Sequence, residues 1–180
     1  MTAMKRAANL YLVGLMGAGK TTVGRVLARR LKLRFLDSDH EIERRCGVKI
    51  PVIFEIEGEP GFRAREAAAI IELSELRGIV LATGGGVIGT KENRQLLAAT
   101  GTVVYLHAQA EDLYERVRHD RNRPLLATAD PLERLRELYA ERDPLYRSIA
   151  DVVIDTGKQG VAALARDLLG KLGERWKASA

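Results

Sequence analysis

The chain of 180 residues contains one cysteine, one tryptophan, three phenylalanines and five prolines. A single cysteine, Cys46, excludes an internal disulfide and any zinc cage built on cysteine pairs. Its expected role is that of a small, half-buried apolar side chain. Long hydrophobic runs are missing too. Stretches such as Ile79–Ala82 and Thr102–Leu106 fall far short of the ~20 residues needed to cross a bilayer, so no membrane partner is expected. Lys5 and Arg6 precede no apolar segment before Asn9, which gives no secretion signal. A reducing cytoplasm fits these absences. Repeats, linkers and low-complexity tracts are also lacking, so residues 1–180 read as a single domain. His40, His107 and His119 have no spacing that suggests a metal site or a catalytic triad.

What the chain does have is an ordinary globular balance, 46% apolar and 29% charged, with a net charge of +5. A small basic excess suits a protein that binds small polyanions as well as one that binds nucleic acid. The base is mostly arginine: 8 of the 29 basic residues are lysine, leaving 21 arginines. Arginine's planar fork favours bidentate contact with carboxylate or phosphate. Eight arginines lie between Arg116 and Arg147, interleaved with Asp120, Asp130, Glu133, Glu137, Glu141 and Asp143. Such a mixture reads as a solvated helical face, and no nucleic-acid partner is expected.

Short apolar runs alternate with amphipathic segments. Leu10–Val13, Arg34–Asp37, Ile79–Thr83, Thr102–Leu106 and Val152–Asp155 read as strands. Helical periodicity appears in Val23, Val26, Leu27 and Leu31; in Phe62, Ala69, Ile70 and Leu73; in Ala110, Leu113, Tyr114 and Val117; and in Val161, Leu164, Ala165, Leu168 and Leu172. Strands alternating with helices imply βαβ units and a parallel sheet covered on both faces. Ligands bind such sheets beyond the carboxyl ends of the strands, so the residues after each strand carry the argument.

Gly14-Leu15-Met16-Gly17-Ala18-Gly19-Lys20-Thr21 follows the first strand and matches G-x-x-x-x-G-K-[ST] in full. Its glycines let backbone N–H groups wrap a phosphate, and the helix behind it points its positive end at the same anion. Lys20 reaches the β- and γ-phosphates in this pattern, and the Thr21 hydroxyl serves Mg²⁺. Asp37-Ser38-Asp39 ends the second strand. Asp37 suits magnesium and Asp39 suits accepting a proton from a substrate hydroxyl; in isolation, Ser38 or Asp39 would cap the helix to Cys46. Arg63, in the first turn after the loop Gly58–Gly61, sits where a helix prefers acids. An anionic ligand would relieve that mismatch, with Glu66 orienting the guanidinium; an ordinary Arg63–Glu66 surface pair is the plainer reading. Gly84-Gly85-Gly86 is costly for a simple connection and reads as backbone lying against a ligand. His119–Asp130 reads as a movable lid between helices, with Arg123 placed to supply positive charge in a transition state. Arg142 falls near a helix end, where Pro144 breaks regularity.

These segments, together with Arg123-Pro124-Leu125-Leu126 and Arg142-Asp143-Pro144-Leu145-Tyr146, closely resemble the shikimate kinase family in order and spacing from about Asn9 to Asp155. The resemblance implies an α/β, three-layer P-loop fold of the nucleoside-monophosphate-kinase type, with a five-stranded parallel sheet and a mobile lid at about 119–130. It implies ATP-dependent phosphorylation of shikimate to shikimate 3-phosphate and ADP, with Mg²⁺, by a cytoplasmic monomer that feeds chorismate and aromatic amino-acid synthesis. Carried over, Gly17, Ala18, Gly19, Lys20, Thr21 and Thr22 hold the nucleotide phosphates. Arg123 is the lid arginine, Arg116 lies along the adenine, and Gln159 falls where some members contact that base. Thr21 and Asp37 serve magnesium. Asp39, Arg63, Gly85 and Arg142 hold shikimate, and Lys20, Asp39 and Arg123 carry the catalysis. Pro51 departs from the family pattern at the start of a helix, where proline is tolerated. Trp176 is a packing or exposed anchor in a tail, Lys171–Ala180, that matches nothing in that pattern.

The residues point the same way without the family. ATP already engages Lys20, Thr21 and the lid, so Arg63 and Arg142 are surplus, and two spare arginines beside an aspartate describe a hydroxylated carboxylic acid. The competing readings are a gluconate or nucleoside-monophosphate kinase, a nucleotide-switch protein without the N-K-x-D guanine motif, and an RNA-binding module.

Overall fold

The computed structural model describes residues 9–178, and side chains through residue 173. The side chain of Trp176 and residues Lys5 and Arg6 lie outside what it describes. Five strands form one sheet: β1 (Asn9–Val13), β2 (Arg34–Asp37), β3 (Ile79–Ala82), β4 (Thr102–His107) and β5 (Val152–Asp155). Their order is β2-β3-β1-β4-β5 and every pair is parallel. β1, β3 and β4 are buried along their whole length, which explains why their sequences read as continuous apolar runs instead of alternating.

The helices are α1 (Lys20–Leu31), α2 (Ser38–Cys46), α3 (Ile50–Glu75), α4 (Lys91–Thr100), α5 (Ala110–Val117), α6 (Pro131–Ile149) and α7 (Val161–Ala178). α1 packs on α7, while α3, α4 and α6 form a second contiguous layer, so the sheet lies between two helical layers. The main core joins Leu10, Leu12, Val23 and Leu27 with Ile70, Leu97, Leu135 and Leu168. A satellite core of Ile42, Ile53, Phe62 and Ala69 holds α2 to α3, and the free Cys46 is partly buried against it, as its composition suggested.

Several boundaries differ from the sequence reading. Pro144 does not end a helix: α6 runs through it. The buried stripe Leu135, Leu138, Arg142 and Tyr146 continues on both sides, and Pro144 is exposed, where the carbonyl it leaves unpaired meets water. The expected loop at Gly58–Gly61 is a one-residue break. Gly58 alone leaves helical geometry (φ 70°, ψ 179°), so α3 bends there and continues. Pro51 occupies the first turn of α3, where its missing N–H costs nothing. α4 had no periodicity singled out in the sequence; Thr90 starts it by accepting the Asn93 N–H. The third strand stops at Ala82, and Thr83 instead bonds back to the Leu12 carbonyl.

Candidate active site

The phosphate loop follows β1 at the centre of the sheet. Gly14, Gly17 and Gly19 have φ of 148°, 80° and 91°, the left-handed region that side chains avoid. Space enforces the choice as well. A Cβ on Gly14 would stand 2.6 Å from the Leu106 carbonyl oxygen, and one on Gly17 would stand 2.7 Å from Val117. α1 begins at Lys20 with no acidic residue in its first turn, leaving its positive end for an anion. The Lys20 ammonium donates to the carbonyls of Gly14 (2.7 Å) and Leu15 (2.9 Å) within its own loop. Burial lowers it to about 8; Asp39 opposes that shift and Arg123 adds to it.

Asp37 ends β2, and its two oxygens do different work. Oδ1 accepts the N–H groups of Asp39 and His40, so the residue capping α2 is Asp37 and neither Ser38 nor Asp39. Oδ2 accepts the Thr21 hydroxyl at 2.7 Å. A hydroxyl and a carboxylate meeting at the mouth of a phosphate loop fit Mg²⁺, which takes few protein ligands and keeps its waters. Among the described residues no cluster of three His, Cys, Asp or Glu could cage a metal alone.

Capping by Asp37 turns Asp39 into the pocket. Burial, followed by the nearby Asp37, raises its carboxyl to about 6 against the pull of Lys20, Arg123 and Arg63. Its Oδ1 is buried with no hydrogen-bond partner, and so is Oε2 of Glu66. Both carboxylates press on the triple glycine: a Cβ on Gly84 would stand 2.7 Å from each. A Cβ on Gly86 would stand 2.1 Å from the Arg63 guanidinium. At two of the three glycines a side chain would therefore displace a charged group of the site. Only at Gly85 is the nearest atom at ordinary contact distance, 3.5 Å, toward Arg142. The triple glycine thus lies against the protein's own charged groups on one side while all three of its residues line a cavity.

Arg63 lines the same cavity and is paired within the fold. It does pair, donating to Glu66 Oε1 at 2.9 Å and to Glu59 at 3.1 Å, yet it is no surface pair, because Glu66 is 1% exposed. Burial works against its charge, but Glu66 and Glu59 outweigh it and raise the guanidinium above its usual value. Burial likewise raises the Glu66 carboxyl, with Arg63 opposing. Arg142 is buried in the middle of α6.

Two adjoining cavities result. One is lined by Lys20, Thr21, Thr22, Asp37, Arg116 and Asp120. The other is lined by Phe54, Phe62, Arg63, Glu66, Leu125 and Arg142. Met16, Asp39, Gly84, Gly85 and Arg123 border both. The segment 118–130 crosses above them, with a short turn at Pro124–Leu126, and Arg123 is steadied by Asp120 at 2.9 Å. Gly17 and Gly19 line the first cavity. Ala18 is buried and its N–H is spent on the Leu15 carbonyl, so it presents little to a ligand. Arg116 donates to the carbonyls of Gly17 and Gly157 and to the Thr156 hydroxyl, tying the phosphate loop to the turn after β5. Gln159 is exposed in that turn and does not line the cavity. The apolar wall of the second cavity, Ile50, Phe54 and Phe62, was not anticipated; nothing in its spacing marks it apart from core.

A family profile described as shikimate kinase matches residues 16–172. A shikimate kinase from Thiobacillus denitrificans is 63% identical over 169 residues, covering 94% of this chain and 92% of the relative. One from Cupriavidus pinatubonensis is 64% identical over 164 residues, covering 91% and 85%. A solved shikimate kinase from Acinetobacter baumannii, in complex with shikimate, superposes with a TM-score of 0.92 at 49% identity, covering 96% of this chain and 97% of that one. With two cavities meeting at Asp39 and a match over most of its length, the chain belongs to the shikimate kinase family.

Proposed function

We propose that this enzyme transfers the γ-phosphoryl group of ATP to a hydroxyl of shikimate, giving shikimate 3-phosphate and ADP on the route to chorismate and the aromatic amino acids. The observation that carries the reading is the shared wall. A cavity lined by the phosphate loop and a cavity holding Arg63 and Arg142 meet at Asp39, Gly85 and Arg123, so donor and acceptor can be held in line.

The donor side is read as follows. Backbone N–H groups of Gly17, Gly19 and the start of α1 receive the phosphates, with Ala18 and Thr22 completing the loop. Lys20 leaves its two carbonyls for the β- and γ-oxygens. Thr21 and Asp37 would hold Mg²⁺, which when bound would offset the negative charge of the phosphates. Arg116 flanks the base and Arg123 closes over the phosphates from the lid; Gln159 lies at the rim.

On the acceptor side, Arg63 and Arg142 take the carboxylate and the Gly85 backbone supports the ring. Phe54 and Phe62 cover its apolar face. Asp39 accepts the hydroxyl proton as the oxygen attacks, a role suited to a carboxylate that titrates near 6 instead of near 4. Lys20 and Arg123 offset the charge that develops on the transferring group. The enzyme acts as a monomer in the cytoplasm, with no nucleic-acid or membrane partner. Among the described residues no helix is long and apolar enough to cross a membrane.

ADP release measured with and without shikimate tests the reading. Shikimate-dependent turnover supports it. Turnover with gluconate or a nucleoside monophosphate in place of shikimate, or slow acceptor-independent hydrolysis typical of a switch protein, overturns it.

A further inference from the structure

A network of polar side chains, buried at Tyr105, His107 and Tyr146 and reaching the surface at Asp155, lies behind the acceptor cavity and lines neither cavity. The carboxyl ends of β4 and β5 supply Tyr105, His107 and Asp155; α6 supplies Tyr139, Asp143 and Tyr146. His107 Nδ1 pairs with Asp155, and its Nε2 pairs with the Tyr139 hydroxyl at 2.7 Å. The Tyr105 hydroxyl donates to Asp143 at 2.8 Å, and Arg147 holds the same carboxylate from the other side. Tyr105 and Tyr146 stack with ring centroids 4.8 Å apart. Tyr146 is fully buried and its hydroxyl donates to the Gly85 carbonyl.

Helical spacing gives this network a direction. Residues 139, 142, 143 and 146 form one stripe of α6, at i, i+3, i+4 and i+7. Arg142 therefore rides on the stripe that the sheet grips through Tyr139, Asp143 and Tyr146. A slip of one residue along α6 would carry its guanidinium about 1.5 Å along the axis and turn it away from the cavity. A helix packed by apolar contacts alone tolerates such adjustment better than one fixed by directional bonds at three positions. The Tyr146 bond also fixes the Gly85–Gly86 peptide plane, next to the one glycine in the triplet where an added Cβ would meet its neighbours only at ordinary contact distance. Both Gly85 and Arg142 are thus held by one side chain and its neighbours.

We propose that Tyr146 is a positioning residue for the acceptor: its hydroxyl pins the Gly85 peptide, while the His107–Tyr139 and Tyr105–Asp143 bonds fix the register of α6 that presents Arg142. The proposal rests on the reading of Gly85 and Arg142 as acceptor-binding groups. Tyr146→Phe removes the hydroxyl and keeps the stack. It is expected to raise the KM for shikimate about tenfold, the effect of one lost hydrogen bond, with the KM for ATP unchanged within twofold. Tyr139→Phe, at a half-buried position where folding is safer, is expected to raise the same KM about threefold through the helix register alone. A purely structural role would lower the melting temperature of both variants without separating the two substrates. Unchanged shikimate KM in a folded Tyr146→Phe overturns the proposal, as does an equal rise in both KM values. Should that variant not fold, an unchanged shikimate KM in Tyr139→Phe overturns it instead. Wild-type enzyme that ignores shikimate would bring down the acceptor assignment itself, a failure visible before any variant is compared.

Discussion

The cavity proposed for the nucleotide takes its phosphate loop from one unbroken stretch, Gly14–Thr22, whereas the cavity proposed for the acceptor draws Asp39, Arg63, Gly85 and Arg142 from four elements spread across the chain. The first is built mainly from backbone whose geometry glycine dictates, and its lysine rests on its own carbonyls. The second is built from charged side chains packed on one another, two of them carboxylates with a buried oxygen left unpartnered. Phosphate is common to every nucleotide and can be met by a local, self-contained turn. A particular hydroxy acid needs several directions at once, and only tertiary structure supplies them. The donor side should therefore fail through loss of chemistry, and the acceptor side through loss of selectivity.

The largest effect is expected at Lys20. Lys20→Met should cut kcat by about 10²-fold or more, since it removes a charge aimed at the transferring group, while circular dichroism stays native. Near wild-type turnover in that variant would erase the contrast between the two halves.

Asp39→Asn comes next and sharpens the comparison, because Asp39 borders both cavities. Turnover should fall by about 10²-fold with ATP affinity unchanged. Stability should move the other way. The folded carboxyl titrates near 6, above its ordinary 3.8, so the unfolded chain ionises first. Stability is therefore full below about pH 4 and declines as pH rises through 6. Removing the charge should stabilise the protein by about 3 kcal/mol at pH 7, seen as a higher denaturation midpoint. A variant that loses only shikimate affinity would make Asp39 a binding group and no base.

Arg63→Ala and Arg142→Ala should each raise the shikimate KM by about 10- to 100-fold and leave ATP binding intact, with lysine restoring only part of the loss. Wild-type enzyme should reject the neutral carboxamide analogue, and Arg63→Ala should discriminate far less. Unchanged shikimate binding by calorimetry in both variants would relocate the carboxylate clamp.

The smallest effect is on pH. In the free enzyme kcat/KM should rise as pH passes 6 and Asp39 ionises, then fall above 8 as Lys20 gives up its proton. Asp39→Asn should abolish the acidic limb and keep the basic one. A profile flat from pH 5 to 9 would contradict both assignments.

What was readable in the sequence follows the same division. The phosphate loop, the strands and Asp37-Ser38-Asp39 were legible because their signals are local: a fixed glycine spacing, apolar runs, carboxylates at a strand end. Arg63 was legible as an electrostatic oddity, but the burial of its partner Glu66, which takes the pair off the surface and leaves Arg63 on a cavity wall, was not. Pro144 misled, since a proline signal is read from the backbone alone, while burial of Leu138, Arg142 and Tyr146 decides where α6 continues. The use of Gly84 and Gly86 was hidden for the same reason: the atoms that exclude a Cβ there come from residues 39, 63 and 66. The apolar wall and Tyr146 leave no local mark, because a pocket lining and a core have the same composition until the chain is folded.

The bend in α3 carries a consequence for how acceptor choice can drift. Phe54 lies before Gly58 and Phe62 after it, and their rings meet at 4.9 Å across the fold-back. Glu57 and Arg65 clasp the two arms at 2.8 and 2.6 Å. The two rings therefore make up one wall of the second cavity, and the backbone angles of Gly58 together with the Glu57–Arg65 pair orient the helix segments that carry them. Width can then be retuned by mutation at positions 57, 58 or 65, none of which lines the cavity. A lineage could shift toward a bulkier hydroxy acid while every group that meets the substrate stays as it is.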